Sequence, residues 1–283
     1  MSNMTTADFI SRLRKGSYHQ KGAILSLDCG LVDGFIGIAN DVRRLVSQYK
    51  GVNAMDGKLN YVQPEGEYIV HSLLTCYGGV TCMDCAWSKS LWVSKKSGFA
   101  KTFHDAKQFP HLAQFIAKFP EAMNFTIKTF NGPSRIAPHE ERIFHEANGK
   151  KYARIRLHLP ITSLPNARVI VQNHEFQYLP GRLYYLNNSC VHYATSPDAG
   201  QRIHLIWDCV LTDRLFEAVF ARAEEMVGAL ISPKFRYYFN TFPGKLPRWT
   251  QPWLWNNLLR QIQYRIGKDS DVRVWTLEEA KLL

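Results

Sequence analysis

The segment Ala153-Arg154-Ile155-Arg156-Leu157-His158-Leu159-Pro160 alternates strictly between apolar and polar side chains. Successive side chains of a β-strand point to opposite faces, so Ile155, Leu157 and Leu159 share one face and Arg154, Arg156 and His158 the other. Similar short runs follow at Arg168 to Gln172, Phe176 to Leu179, Arg182 to Leu186 and Ile203 to Leu211, with Pro180-Gly181 as a turn signal. Short strands punctuated by turns predict a β-sandwich or barrel. A row of two arginines and a histidine forms a cationic pocket if it faces a barrel interior, and a basic sheet surface if it faces solvent. Periodicity alone favours the surface.

Outward from this segment the chain reads as three zones, integrated as one domain. Residues 1–124 mix helical and extended patterns, with helices predicted over Leu31 to Tyr49 and Phe109 to Phe119 and a loop over Gly51 to Gly66. Residues 125–212 form the β core. Residues 213–283 begin with an amphipathic helix predicted from Asp213 to Ile231, stopped by Ser232-Pro233. From Met226 to Lys268 there are 7 Lys/Arg and no Asp or Glu, interleaved with aromatics such as Trp249, Trp253 and Trp255. That tail reads as a packed helical cover with solvated cations; nucleic-acid binding is the alternative.

The composition is that of a globular protein: 283 residues, 46% apolar, 21% charged. Disordered, collagen-like and repetitive classes are excluded. The net charge of +11 favours acidic partners without choosing among them. No stretch approaches the run of about 20 apolar residues that a spanning helix needs, and no targeting segment is visible, so a soluble, cytoplasmic protein without a membrane partner is expected. Six cysteines without a signal peptide read as free thiols. Cys82 and Cys85 have zinc-like spacing, with Cys76 upstream and His104 as a distant fourth ligand, but packed reduced thiols are the better reading.

Chemistry concentrates elsewhere. His139-x-Glu141 lets an imidazole and a carboxylate converge if the strand is extended, and Cys190-Val191-His192 supplies a second imidazole. Two histidines and one carboxylate leave metal positions open, as in non-haem Fe(II) oxygenases. Arg202 follows on a strand, in Arg202-Ile203-His204-Leu205-Ile206-Trp207-Asp208.

Three motifs taken together, Ile136-Ala-Pro-His139, Arg156-Leu-His158-Leu-Pro160-Ile161 and Gly181 to His192 continuing to Asp208, resemble the aspartyl/asparaginyl β-hydroxylase family of 2-oxoglutarate-dependent oxygenases. The resemblance implies a double-stranded β-helix (jelly-roll, cupin-like) with flanking helices, α+β overall, using Fe(II), 2-oxoglutarate and O2. It implies His139 and His192 as iron ligands, Arg202 on the distal carboxylate of 2-oxoglutarate, and Arg156 and His158 as further cosubstrate contacts. A hydroxyl before the first histidine is also implied, with Thr129 or Thr126 as candidates. The third iron position falls to Glu141 or to water, and His145 is the alternative to His139. Asp208 is expected to orient an arginine or backbone groups.

The expected activity is hydroxylation of a C–H bond in an amino acid, a peptide-like small molecule or a protein side chain, the substrate possibly bearing a carboxylate. The alternatives are a nucleic-acid-binding protein and a catalytically silent cupin-like module. Oligomeric state is left open.

Overall fold

A computed structural model describes residues 5–15, 24–27, 32–53, 67–74, 102–139, 141, 143–171, 174–190, 192–220, 223–230 and 271–281, with the backbone alone at 12, 14, 15, 52, 53, 137–139 and 230. In chain order come helix α1 (Thr6–Lys15), strand β1 (Ile24–Leu27), α2 (Phe35–Gln48), β2 (Val52–Asn53), β3 (Glu67–Ser72) and α3 (Pro110–Ala117). The central strands follow: β4 (Thr126–Asn131), β5 (Ser134–His139), β6 (Phe144–Ala147), β7 (Lys150–Thr162), β8 (Arg168–Val171), β9 (His174–Phe176), β10 (Leu183–Leu186), β11 (His192–Ser196) and β12 (Gln201–Val210). A short α4 (Asp213–Leu215) runs into a π-helical turn (Phe216–Phe220), followed by β13 (Ala223–Glu225), β14 (Ala229–Leu230) and α5 (Leu277–Lys281).

The strands form two antiparallel sheets. The larger runs β13-β1-β10-β7-β12-β4-β3-β2, with β6 paired to β7; the smaller runs β14-β9-β8-β11-β5. The sheets face each other and helices cover the outer face of the larger one, which makes the fold a jelly-roll. Strands from within 1–124 and 213–283 join both edges of the larger sheet, and β14 joins the smaller.

The main core lies outside the barrel. Ile155, Leu157 and Leu159 of β7, with Leu205 and Trp207 of β12, bury against Val42 and Leu45 of α2, Leu112 and Phe115 of α3, and Phe216 and Phe220 of the π-helical turn. Trp207 anchors this layer: it stacks on Phe125 at 4.8 Å and meets Phe115 and Phe119 edge-on at 5.4 and 4.9 Å. Asp41 of α2 accepts hydrogen bonds from the backbone N–H groups of His111 and Leu112 at 2.8 and 3.1 Å, capping α3 from its neighbour. A second, smaller apolar cluster, including Val169, Val171, Tyr184 and Leu186, lies between the sheets.

The predicted helix over Asp213 to Ile231 is corrected. Its start holds, because the Thr212 hydroxyl accepts from Leu215 N–H at 3.0 Å. Beyond Phe220 the chain turns extended, and Leu27, Ser26 and Leu25 of β1 pair with Ala223, Glu224 and Glu225. Pairing satisfies backbone groups that β1 would otherwise leave open at a sheet edge, and this outweighs helical periodicity. The Cys82–Cys85 pair with Cys76, most of the Gly51 to Gly66 loop, and the tail from 231 to 270 lie outside the described residues. No helix among the described residues is long and apolar enough to cross a membrane.

Trp207→Ala removes the largest side chain of the outer core and is expected to cost about 3–5 kcal/mol. Urea unfolding read by far-UV dichroism measures this; a loss below about 1 kcal/mol would mean that the aromatic layer is not what holds the helices to the sheet.

Candidate active site

Between the sheets lies a cavity that opens to solvent. Its floor comes from the inward face of the larger sheet: Lys128 and Phe130 of β4, Arg156 and His158 of β7, and Arg202, His204 and Ile206 of β12. His192, Tyr193 and Ala194 of β11, with Ile136 of β5, line it from the smaller sheet. The cationic face of β7 therefore lines a barrel interior and not a solvated surface. A bulge between Ile203 and His204 accommodates Pro160, which lacks a backbone donor, within the β7–β12 ladder.

Two arginines on this floor have opposite environments. Arg156 lies directly across from Asp208 and donates to its carboxylate through Nε at 2.7 Å and Nη2 at 3.1 Å. Burial works against both charges, but mutual attraction outweighs it: Arg156, aided by Glu141, is held above the ordinary guanidinium value, and Asp208, aided by Arg154, is held below the ordinary carboxylate value. Asn124 donates to the second Asp208 oxygen at 3.0 Å. Asp208 thus orients an arginine, as expected.

Arg202 is only 4% exposed. Its guanidinium lies 4.5 Å over the Phe130 ring, and Phe130 stacks on Tyr68 at 4.5 Å. Its Nε has no hydrogen-bond partner among the described residues, and burial pulls its pKa down to about 10. Among the described residues no carboxylate pairs with it. His158 and His204, beside it on the floor, are both held well below the ordinary imidazole value, by burial first and neighbouring cations second. Among the described residues, both nitrogens of His158 and Nε2 of His204 lack hydrogen-bond partners.

The two histidines of the proposed metal site are brought together by backbone register: His192 pairs directly with His139 across β11 and β5. His192 Nδ1 lies 2.9 Å from the Cys190 carbonyl. A carbonyl only accepts, so Nδ1 carries the proton and Nε2, 3.5 Å from the Asn188 amide nitrogen, is the atom left to coordinate. Glu141 lies past the end of β5 and not in the extended strand assumed from the His-x-Glu spacing. Its carboxylate lines the cavity and accepts from Arg154 at 2.8 Å, from Arg156 and from Asn188 at 3.1 Å. Among the described residues no three His, Cys, Asp or Glu side chains form a metal-sized group.

Thr129 does not line the cavity. Its neighbours Lys128 and Phe130 do, and the two-residue period puts Thr129 on the opposite face, where its hydroxyl is buried without a partner among the described residues. Thr126 donates to the Ile206 carbonyl at 2.9 Å. His145 sits on β6 against Tyr152, away from the cavity. Sequence reasoning missed Lys128, Tyr178 and His204. The Arg202-x-His204 alternation was the available signal for His204, and none existed for Tyr178.

Asp208→Asn leaves Arg156 buried without its main counter-charge and is expected to cost about 3–5 kcal/mol at neutral pH. Because the folded carboxyl lies below its ordinary value, its contribution is present above about pH 3.9 and is lost as pH falls further. Stability measured by urea titration between pH 7 and pH 3 should fall more shallowly in the variant; an unchanged slope would assign acid sensitivity to other carboxylates.

The aspartyl/asparaginyl beta-hydroxylase family model matches residues 71–211. No curated protein matches the chain. Similar solved structures include an oxidoreductase of the 2OG-Fe(II) oxygenase family from Burkholderia pseudomallei, 10% identical over 74% of this chain and 92% of that one, with a TM-score of 0.39. HygX from Streptomyces hygroscopicus, with nickel and 2-oxoglutarate bound, is 8% identical over 72% of this chain and 87% of its own, at 0.41. A Pseudomonas putida prolyl-4-hydroxylase is 12% identical over 72% and 98%, at 0.34. The family match takes in every strand from β4 to β12, and with them the paired histidines and the cationic floor: the chain belongs to the aspartyl/asparaginyl β-hydroxylase family and is a 2-oxoglutarate- and Fe(II)-dependent hydroxylase.

Proposed function

We propose that His139, His192 and Glu141 hold Fe(II), that Arg202 binds the distal carboxylate of 2-oxoglutarate, and that Arg156 and His158 border the cosubstrate. The observation that carries this reading is Arg202, a buried guanidinium that faces the cavity without an acidic partner among the described residues. A buried charge is costly until paired, and a carboxylate matches the guanidinium fork. The residues fit the groups: His192 presents an imidazole lone pair, and His158 and His204 hold orphaned polar atoms for a polar ligand.

Bound together, Fe(II), 2-oxoglutarate and O2 supply the oxidant that hydroxylates a C–H bond, with 2-oxoglutarate converted to succinate and carbon dioxide. The protein's own part is positioning. The Cys190 carbonyl fixes the His192 tautomer. The Asp208 pair fixes the Arg156 plane. Ile136, Val169 and Leu186 wall the cavity with apolar surface and limit water. Glu141 serves two demands, because the carboxylate proposed for iron also receives Arg154 and Arg156. We read the substrate as a small molecule or peptide-like compound bearing a carboxylate, since the cavity combines cations with apolar walls.

Purified protein given Fe(II) and O2 is expected to convert 2-oxoglutarate to succinate, and a panel of amino acids and peptides read by mass should yield a product heavier by one oxygen. No Fe(II)-dependent succinate with any member of the panel would defeat the reading. Arg202→Met should raise the 2-oxoglutarate requirement by about a hundredfold or more, the equivalent of breaking a buried pair.

Glu141→Ala tests the third ligand. Most hydroxylation should be lost if Glu141 binds iron, whereas full activity would leave a site of two histidines.

A further inference from the structure

Of the proposed iron ligands, Glu141 carries the charge, and the fold has already engaged it. Its Oε1 accepts from Arg156 and from the Asn188 amide at 3.1 Å, and its Oε2 accepts from Arg154 Nη2 at 2.8 Å. The same Asn188 amide nitrogen lies 3.5 Å from His192 Nε2, which places the carboxylate beside the imidazole proposed for the metal. The side chains of Arg154 and Glu141 are both more than four-fifths buried, so little water screens the pair. The two arginines are not equivalent. Arg156 divides its donors between Glu141 and Asp208, and Asp208 offsets its charge. Arg154, two residues earlier on β7, has its ion pair with Glu141.

We propose that Arg154 is a positioning residue for the metal site, acting through Glu141: it aims the carboxylate and holds back part of its charge, so that the third iron ligand is a weak one. The assignment rests on the reading of Glu141 as an iron ligand given above. Its physical basis is competition for one anion. A carboxylate oxygen that accepts from a guanidinium gives less charge to a metal, and a guanidinium beside the site also repels a divalent cation. Without the guanidinium, Oε2 would turn its charge to the metal. Glu141 itself would stay in place, because other contacts hold it: Arg156 and Asn188 on Oε1, and the Glu141 backbone N–H, which donates to the Asn188 carbonyl at 2.8 Å. The segment that follows is fastened by backbone as well, since Arg154 N–H donates to the carbonyl of the buried Ile143 at 2.7 Å. Arg154 thus sets how firmly the site holds its metal before the cosubstrate arrives.

The test is Mn(II) binding to the full chain without 2-oxoglutarate, read from the electron paramagnetic resonance signal of the free ion, which needs no turnover. Arg154→Met is expected to tighten Mn(II) binding by about tenfold, the scale of one hydrogen bond to a charged group. Arg154→Lys keeps a cation beside Glu141 and should remain within about threefold of the unsubstituted protein. In a Glu141→Gln background there is no anion to hold back, and Arg154→Met should then change affinity by less than about threefold, which makes the pair non-additive.

The dependence on Glu141 separates positioning through the carboxylate from plain repulsion between Arg154 and the metal. Equal tightening in both backgrounds would assign the effect to repulsion alone and overturn the proposal. Unchanged or weaker Mn(II) binding in Arg154→Met would overturn it too, since Arg154 would then be idle or a support for ligation. Should Arg154→Met fail to fold, Arg154→Gln poses the same question with a neutral donor in place, and the same outcomes decide it. An unsubstituted protein that binds no Mn(II) would instead defeat the iron-site reading on which the assignment depends.

Discussion

The register between β7 and β12 is the constraint on which the site depends. These strands lie at the middle of the larger sheet, and their ladder sets Arg156 across from Asp208 and His158 across from Ile206. A slip of one residue would exchange the faces, sending Arg156 and His158 into the helix-covered core and Ile155 and Leu157 into the cavity. Two things prevent it. On one face Ile155, Leu157, Leu159, Leu205 and Trp207 have nowhere to go but the apolar layer under the helices. On the other, Arg156 and Asp208 satisfy each other at hydrogen-bond distance. The sheet therefore carries an apolar core and a charged cavity back to back.

The two buried arginines show how one residue type serves two ends. Arg156 is held by Asp208 and Glu141 and stays firmly charged, so its orientation is settled before any ligand arrives. Arg202 has an aromatic face beneath it and, among the described residues, no acid beside it, and burial weakens its hold on the proton. The first arrangement stabilises a scaffold. The second stores an unmet demand for an anion in a low-dielectric cavity, where the interaction is strong once made. The uncharged His158 and His204 fit the same economy: fully buried imidazolium rings beside these cations would add repulsion on top of desolvation.

Much of this was legible in the sequence because it depends on period two. The alternation from Ala153 to Pro160 gives the strand, and the helices over Phe35–Gln48 and Pro110–Ala117 follow from apolar spacing. Periodicity shows that two faces differ but not which face meets solvent, so the cationic row read as surface until the second sheet was seen to cover it. Thr129 failed for a related reason. The resemblance implies a hydroxyl on this strand, yet the pleat gives the cavity to Lys128 and Phe130. Glu141 sits past the strand end, where i and i+2 no longer share a direction. Tyr178 arrives from a connection between strands, and its place follows from tertiary packing alone. The amphipathic stretch after Thr212 was a true local signal that ended early, because β1 offered backbone partners to Ala223–Glu225.

The aromatic pair under Arg202 explains why an otherwise polar floor spends two positions on apolar rings. Tyr68 and Phe130 stack nearly parallel, at 13°, and the guanidinium lies over the outer ring. A ring face attracts the cation, most strongly where water is excluded, yet it accepts none of the guanidinium hydrogen bonds. The side chain is thereby held in plane while its Nε stays without a hydrogen-bond partner among the described residues. An acid in place of Phe130 would hold Arg202 equally well but would satisfy it, and an incoming carboxylate would then have to displace a resident one. Ordering a long side chain is part of the cost of binding, and here that ordering belongs to the fold. The same reasoning separates the two ends of the floor: Asp208 orients Arg156 by engaging its donors, and the Phe130 ring orients Arg202 without engaging them.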